Sequence, residues 1–233
     1  MKTSIGILYV IATPIGNYED ITLRAIRLLN EADIVICEEP RQATTLFKKI
    51  NVTPKVLESL NEHNEEEEAE HWLQDLFLGK NIALISDCGT PVFSDPGRFL
   101  IQICVNNGVQ VVPVPGVSSL MTALSILDFK IDKFYFAGFL PRETSLRAQE
   151  LSRLKTVNQT IVIMDTPYRL AKCLEEMETT FGKGIQVTVA CDLTLPNETI
   201  LRGGISSVRK KLAARKAEFI LIVHPRRVTR PER

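Results

Sequence analysis

At 233 residues, with 28 Lys and Arg against 28 Asp and Glu and 45% hydrophobic residues, the chain has room for one large globular domain or two small ones. The balanced charge excludes the global basic signature of many nucleic-acid binders, and the apolar content excludes a disordered chain. Five cysteines, an odd number without a CxxC pair, point to reduced cytoplasmic thiols, and three scattered histidines offer no metal-ligand spacing.

In chain order, "ILYVIATP" (7–14), "DIVICEE" (33–39), "NIALISD" (81–87) and "VQVVPVP" (109–115) are nearly continuous apolar runs. Strands buried on both faces of a parallel sheet have this pattern. The first run is too short to cross a membrane, and no small-x-small cleavage pattern follows it, so it reads as a strand and not as a leader. Between the runs lie helical patterns. Asp20 is the expected cap of "ITLRAIRLLNEA" (21–32). "EEEEAEHWLQDLFLGK" (65–80) opens acidic and stops at Gly79-Lys80, and Pro96-Gly97 starts "RFLIQICVNNG" (98–108). A repeated βα order predicts an open α/β sheet.

A second α/β set follows "PVPGVSSLMTALSIL" (113–127). Its strands are "KFYFAGFL" (133–140), "TIVIMDT" (160–166), "QVTVACD" (186–192), "TILRG" (199–203) and "EFILIVHP" (218–225). "PNE" (196–198) looks like a short hairpin connection, which makes this sheet mixed. The expected fold class is α/β: an N-terminal domain over 1–114 with a mostly parallel sheet, and a C-terminal domain over 115–233 with a mixed one. The boundary is set near Pro113–Gly116, where two prolines and a glycine interrupt the pattern.

Charge is uneven along the chain. Residues 58–75 carry eight acids and no Lys or Arg, and residues 202–233 carry ten Lys and Arg against two Glu. A solvated acidic helix accounts for the first. For "HPRRVTRPER" (224–233), phosphate contact and simple solubility both stay open.

Open α/β sheets bind ligands beyond the C-terminal ends of their strands. Four loops fall there: "TPIGN" (13–17), "EEPRQ" (38–42), "DCGTPVFSDPG" (87–97) and "PGVSS" (115–119). None fits GxGxxG, a P-loop or a GxSxG elbow, which disfavours nucleotide-phosphate and hydrolase chemistry. Asp87 can accept from a hydroxyl or an ammonium group, Gly89 and Gly97 permit close backbone approach, and Ser118 and Ser119 add hydroxyls. A ligand with hydroxyls, an ammonium group and an apolar aromatic face fits this set. A purely structural account competes at each loop, since Asp95-Pro96-Gly97 and Ser118-Ser119 are also ordinary helix starts.

Taken together, "LYVIATPIGNYEDITLRAIRLLNEADIVICEEPR" (8–41), "LISDCGTPVFSDPG" (84–97), "VVPVPGVSSLMTALSIL" (111–127), "FAGFLPR" (136–142), "DTPYRL" (165–170) and "DLTLPNETILRGGI" (192–205) resemble the tetrapyrrole methylase superfamily. These are the class III S-adenosylmethionine-dependent methyltransferases. Within them the chain is most similar to the branch that methylates a cytidine ribose 2′-oxygen of small-subunit ribosomal RNA. The resemblance implies two α/β domains with S-adenosylmethionine folded into the cleft between them. It also implies a cytoplasmic homodimer that acts on small-subunit ribosomal RNA or the 30S subunit, with no membrane and no metal. By position it puts Pro14 on the first cofactor-facing loop and Asp87, Gly89, Thr90 and Pro91 on the main one. Ser118 and Ser119 match the serine pair that opens the second domain, and Met164, Leu193 and Thr194 match strand ends that close over the adenine. Cys88 then reads as a small permissive residue, and Ser94 to Gly97 as the start of the next helix.

Methyl transfer from a sulfonium is an in-line displacement, which requires alignment and removal of a proton from a weakly acidic hydroxyl. The family's acidic-acidic-Thr-Arg segment corresponds to Glu38-Glu39-Pro40-Arg41. There the resemblance implies a carboxylate that orients or deprotonates the acceptor and an arginine, Arg41, that holds a phosphate. A helix N-terminus with acids and a proline in its first turn accounts for the same residues equally well. Three departures stand out: Pro40 in place of Thr, Leu195 in place of the Lys expected after Asp192-Leu193-Thr194, and no helical extension beyond Arg233. They keep two alternatives open, a methylase of a tetrapyrrole or other small molecule and a non-catalytic cofactor- or RNA-binding relative.

Overall fold

Continuous apolar strands need helices on both faces, and the first unit of the chain is built that way. The computed structural model describes residues 4–61, 64–93, 95–212 and 215–225, and it divides into two units, Met1–Ser118 and Ser119–Arg233. In the first, strands β1 (Ile7–Ile11), β2 (Ile34–Cys37), β3 (Leu57–Ser59), β4 (Ile82–Ile85) and β5 (Gln110–Val114) form a sheet in the order β3-β2-β4-β1-β5. Every pairing in it is parallel. Alternate residues of each strand serve opposite faces. Ala83 and Ile85 of β4 pack with Leu28 and Leu29 of α1 (Leu23–Glu31) and Phe47 of α2 (Pro40–Ile50). Ile82 and Leu84 pack with Trp72 and Leu76 of α3 (Glu65–Phe77) and Leu100 of α4 (Arg98–Asn106).

Two local expectations change. α1 is capped by Thr22, whose hydroxyl oxygen accepts from the Ala25 N–H at 3.1 Å, while Asp20 lies in a 3-10 turn, Tyr18–Asp20. A cap must reach an N–H two or three residues into the helix, and only Thr22 stands at that distance. The edge strand β3 was not expected from the sequence: it has three residues and a charged centre, Glu58.

The second unit holds β6 (Phe134–Phe139), β7 (Thr160–Asp165), β8 (Gln186–Cys191), β9 (Thr199–Gly204) and β10 (Phe219–Val223), ordered β6-β7-β10-β8-β9. β6 and β7 are parallel, β10 runs antiparallel between β7 and β8, and β8–β9 is an antiparallel hairpin, so the sheet is mixed. Its apolar side is covered by α6 (Thr144–Leu154), α7 (Leu170–Phe181) and α8 (Ile205–Leu212) through Leu151, Leu174, Met177 and Val208. A short α5 (Ser119–Ser125) opens the unit.

The division falls after Ser118, not at Pro113–Gly116. Residues 115–118 stay with the first unit because a Cβ on Gly116 would stand 3.0 Å from the Ala12 Cβ, and the Val117 carbonyl accepts from the Thr90 hydroxyl at 3.2 Å. The proline-glycine interruption marks a strand-end loop. The acidic and basic stretches are partly spent on ion pairs: Asp75 meets Lys80 at 2.7 Å, and Arg209 meets Glu175 at 2.7 Å and Glu178 at 2.8 Å. The end of the basic tail, 226–233, lies outside the described residues.

Candidate active site

Three of the four strand-end loops of the first unit are tied together by backbone groups. Thr13, buried just past β1, donates its N–H to the Gly89 carbonyl at 2.8 Å and its hydroxyl to the Ser86 carbonyl at 3.0 Å. The Ser86 hydroxyl oxygen accepts from the Cys88 N–H at 3.0 Å, which closes a tight turn after β4. Gly89 sits at φ +82°, where a Cβ would come within 3.2 Å of Ile15, so a side chain there would be strained and crowded. Thr90 joins the third loop through Val117. The fourth loop comes in through Asp87, whose Oδ1 accepts from the Glu39 N–H at 3.1 Å.

Between these loops lies an open cavity of about 360 Å³, bounded by Pro14 and Tyr18 on one loop, Arg41, Gln42 and Thr45 on α2, and Asp87 after β4. Burial pushes the Asp87 carboxyl above the usual carboxylate range. The Glu39 N–H opposes that rise, and the nearby Asp95 and Glu39 charges add to it. A carboxylate held this way, with a single hydrogen bond among the described residues, favours any group that brings O–H or N–H donors or positive charge. This acceptor thus fits the ribose hydroxyls or the ammonium group of S-adenosylmethionine. Arg41 is exposed, and its guanidinium has no hydrogen bond or ion pair among the described residues, which leaves it available to an anion.

The acidic pair after β2 separates into different roles. Glu39 is the N-cap of α2: its Oε1 accepts from the Arg41 N–H at 3.1 Å, and Pro40 takes the first helical position. Proline is well suited there, because that N–H has no intrahelical partner in any case. The replacement of Thr by Pro40 therefore has a local cause. Glu38 is exposed on the preceding loop.

The second half of the β4–α4 loop is architectural. Glu65 of α3 accepts through Oε1 from the N–H groups of Gly97 at 3.0 Å and Phe99 at 2.6 Å, capping α4 from a neighbouring helix. The close approach that Gly97 permits, at φ +121°, is to Leu84, 2.7 Å from where a Cβ would stand, and not to a ligand.

In the second unit Ser119 begins α5, and Met164 lies in β7 opposite Ile220. Leu193 is buried, and Thr194 sits at φ +67°, its N–H donating to Glu198 at 2.7 Å. Asp192, at φ +51°, accepts from the Glu218 N–H at 3.1 Å, from Asn197 at 2.7 Å and from Arg215 at 2.7 Å. Leu195 closes this turn with its N–H on the Asp192 carbonyl at 3.1 Å, so the missing lysine falls inside a self-satisfied loop.

Tyr18, Gln42 and Thr45 of the cavity wall were not picked out from the sequence. The signal for two of them was present: a helix starting at Pro40 puts positions 41, 42 and 45 on one side of its first turns. Among the described residues no group of three or more His, Cys, Asp or Glu is arranged to hold a metal, and no helix is long and apolar enough to cross a membrane.

A crystal structure of uroporphyrin-III C-methyltransferase from Thermus thermophilus, complexed with S-adenosylhomocysteine, superposes with a TM-score of 0.64 at 18% identity, covering 94% of this chain and 97% of that one. The fold is that of the class III methyltransferases. The model of the Tetrapyrrole (Corrin/Porphyrin) Methylases matches residues 7–209. "Ribosomal RNA small subunit methyltransferase I" of Halalkalibacterium halodurans is 39% identical over 220 residues, 94% of this chain and 75% of that protein. The protein of the same name from Leptospira biflexa is 36% identical over 97% of this chain and 94% of its own length. The chain belongs to the tetrapyrrole (corrin/porphyrin) methylase family, and it is an S-adenosylmethionine-dependent methyltransferase.

Proposed function

We propose that the chain methylates a cytidine ribose 2′-hydroxyl of small-subunit ribosomal RNA, working in the cytoplasm as a homodimer. The observation that carries the acceptor class is the 36–39% identity, over at least 94% of this chain, to proteins named for that RNA. The near full-length match to the Leptospira relative means that the name does not depend on a long C-terminal extension, which removes one ground for preferring a small-molecule acceptor. The other two departures have local structural reasons: Pro40 fits the first turn of α2, and Leu195 closes a turn.

When bound, S-adenosylmethionine supplies an electrophilic methyl group on a sulfonium. Asp87 accepts hydrogen bonds from its hydroxyl or ammonium groups, and Gly89, Thr90 and Pro91 form a backbone wall fixed by Thr13 and Val117. Pro14 and Ser118 extend that wall in the first unit. Ser119, Met164, Leu193 and Thr194 are assigned to the cofactor through their match to the family. Arg41 holds a phosphate of the acceptor, since a guanidinium matches phosphate oxygens in a bidentate fork. Removal of the acceptor proton is assigned to the Glu38–Glu39 pair, of which Glu39 also caps α2 through one carboxylate oxygen.

Labelled S-adenosylmethionine and 30S subunits from a strain lacking the corresponding mark give the test. Methyl transfer is expected to a cytidine ribose, identified by nucleoside mass spectrometry. Absence of transfer with calorimetric cofactor binding intact overturns the RNA assignment.

A further inference from the structure

In the second unit, the turn after β7 carries an aromatic ring that no packing requirement explains. Tyr168 is 78% exposed, and the Lys216 ammonium lies 4.9 Å from its ring centroid. One face of the ring is thus electrostatically engaged, and the exposure leaves ring surface open to solvent. The turn that presents it, Pro167–Arg169, is anchored unusually well. Arg169 donates to the carbonyls of Leu140 at 3.2 Å and Pro141 at 3.1 Å and pairs with buried Asp165 at 3.3 Å. Asp165 also accepts from the Thr166 N–H at 2.8 Å.

The segment that Arg169 grips is itself fixed from beneath. Arg147, 3% exposed, forms a two-armed pair with Glu176 at 2.6 and 2.8 Å and donates to the carbonyls of Pro141 at 3.1 Å and Arg142 at 2.9 Å. Two arginines are therefore spent on main-chain carbonyls to hold 140–142 and 167–169 in register. What they hold outward is Tyr168 and the exposed Arg142, whose guanidinium has no partner among the described residues. Mobile surface loops do not need this support. A rigid exposed ring flanked by cations is the arrangement by which single-stranded nucleic acid is held: a base stacks on the ring, and the cations meet the adjoining phosphates.

We infer that Tyr168, with Lys216 and Arg142, is a stacking platform for an unpaired nucleotide of the RNA substrate. The inference rests on the RNA reading above. Its occupant is a single-stranded RNA segment, because the ring can stack on any base and Lys216 brings positive charge to it.

Steady-state methylation of 30S subunits at saturating cofactor tests it in the full chain. Tyr168→Ala is expected to raise KM for the subunit about tenfold with kcat changed less than about twofold, as loss of one base stack predicts. Tyr168→Phe, which keeps the ring, is expected to retain the KM. Lys216→Gln and Arg142→Gln should each flatten the salt dependence of binding by roughly 0.7 in the log–log slope. All three positions changed are exposed, and the Lys216 and Arg142 variants keep the test alive if the alanine variant folds poorly. An active parent enzyme whose Tyr168→Ala variant keeps its KM overturns the platform alone, as does an equal loss in Tyr168→Phe or an unchanged salt slope in both charge variants. A parent enzyme that binds cofactor but transfers no methyl to the subunit overturns the RNA reading and the platform with it.

Discussion

The loops after β4 and β8 begin with the same kind of residue and use it in opposite ways. Asp87-Cys88-Gly89-Thr90-Pro91 and Asp192-Leu193-Thr194-Leu195-Pro196 each put an aspartate, a threonine and a proline just past a buried strand. Asp192 is 7% exposed and takes three hydrogen bonds, from Glu218, Asn197 and Arg215, within its own unit. Asp87 takes one among the described residues, from Glu39, and burial holds its carboxyl above the usual range. A strand-end aspartate that is satisfied by its own turn builds the turn. One that is partly buried and under-satisfied is available to a ligand.

Breaking the satisfied loop should have the largest effect. Asp192→Ala removes the acceptor of the Asn197 amide and the Glu218 N–H and the carboxylate partner of the Arg215 guanidinium, and it places alanine at φ +51°. A loss of about 3 kcal/mol in the stability of the second unit is expected, seen as an early transition in chemical denaturation. Asp192→Asn, which tolerates the left-handed backbone, should lose less.

Changing the open loop should move function instead. Asp87→Asn should weaken S-adenosylmethionine binding about tenfold in calorimetry, the effect of losing a charge-assisted acceptor. It should not destabilise the fold. Equal effects of the two aspartate substitutions on stability, or none of Asp87→Asn on affinity, would erase the contrast between the loops.

Much of this organisation could be read in the residues, and the parts that could not have physical reasons. Two-sided burial shows in sequence as unbroken apolar runs, so β2 and β4 were visible, and β1 and β5 carry similar apolar runs although they are partly exposed. β3 was not, because an edge strand of three residues with Glu58 at its centre has no such pattern. Asp87 stood out because a plain turn needs fewer special residues than its loop contains. Glu39 and Arg41 remained ambiguous, since a helix start and a catalytic loop draw on the same residue types, and only the Glu39 to Arg41 N–H contact identifies the cap. Tyr168 was within a recognised segment, but its exposure depends on Arg169 and Arg147, which act through space from two different helical segments.

The second half of the β4–α4 loop offers a smaller test. Glu65→Ala removes the acceptor for Gly97 and Phe99 and should cost about 1 kcal/mol, as loss of a helix cap does, with cofactor affinity kept. A drop in affinity as large as that of Asp87→Asn would extend the ligand site past Pro91 and remove the division of that loop into two functions.

The smallest effect is in the pH dependence, and its sign separates the two aspartates further. Burial holds the Asp87 carboxyl above its ordinary value in the folded chain, so the folded state holds this proton more tightly than the unfolded one. Its contribution to stability is therefore favourable at pH below that value, falls as pH rises through the raised folded pKa, and stays unfavourable at neutral pH. Asp87→Asn should then melt slightly higher than the parent at pH 7, with the gap closing as the solution is acidified. Cofactor supplies the donors that the ionised carboxylate lacks, so it should lower this pKa and bind more weakly at acid pH. Near the raised pKa its binding should release a proton, measurable as a buffer-dependent heat in the parent and absent in Asp87→Asn. A parent protein more stable than Asp87→Asn at pH 7 without cofactor would mean that Asp87, like Asp192, is satisfied within its own fold.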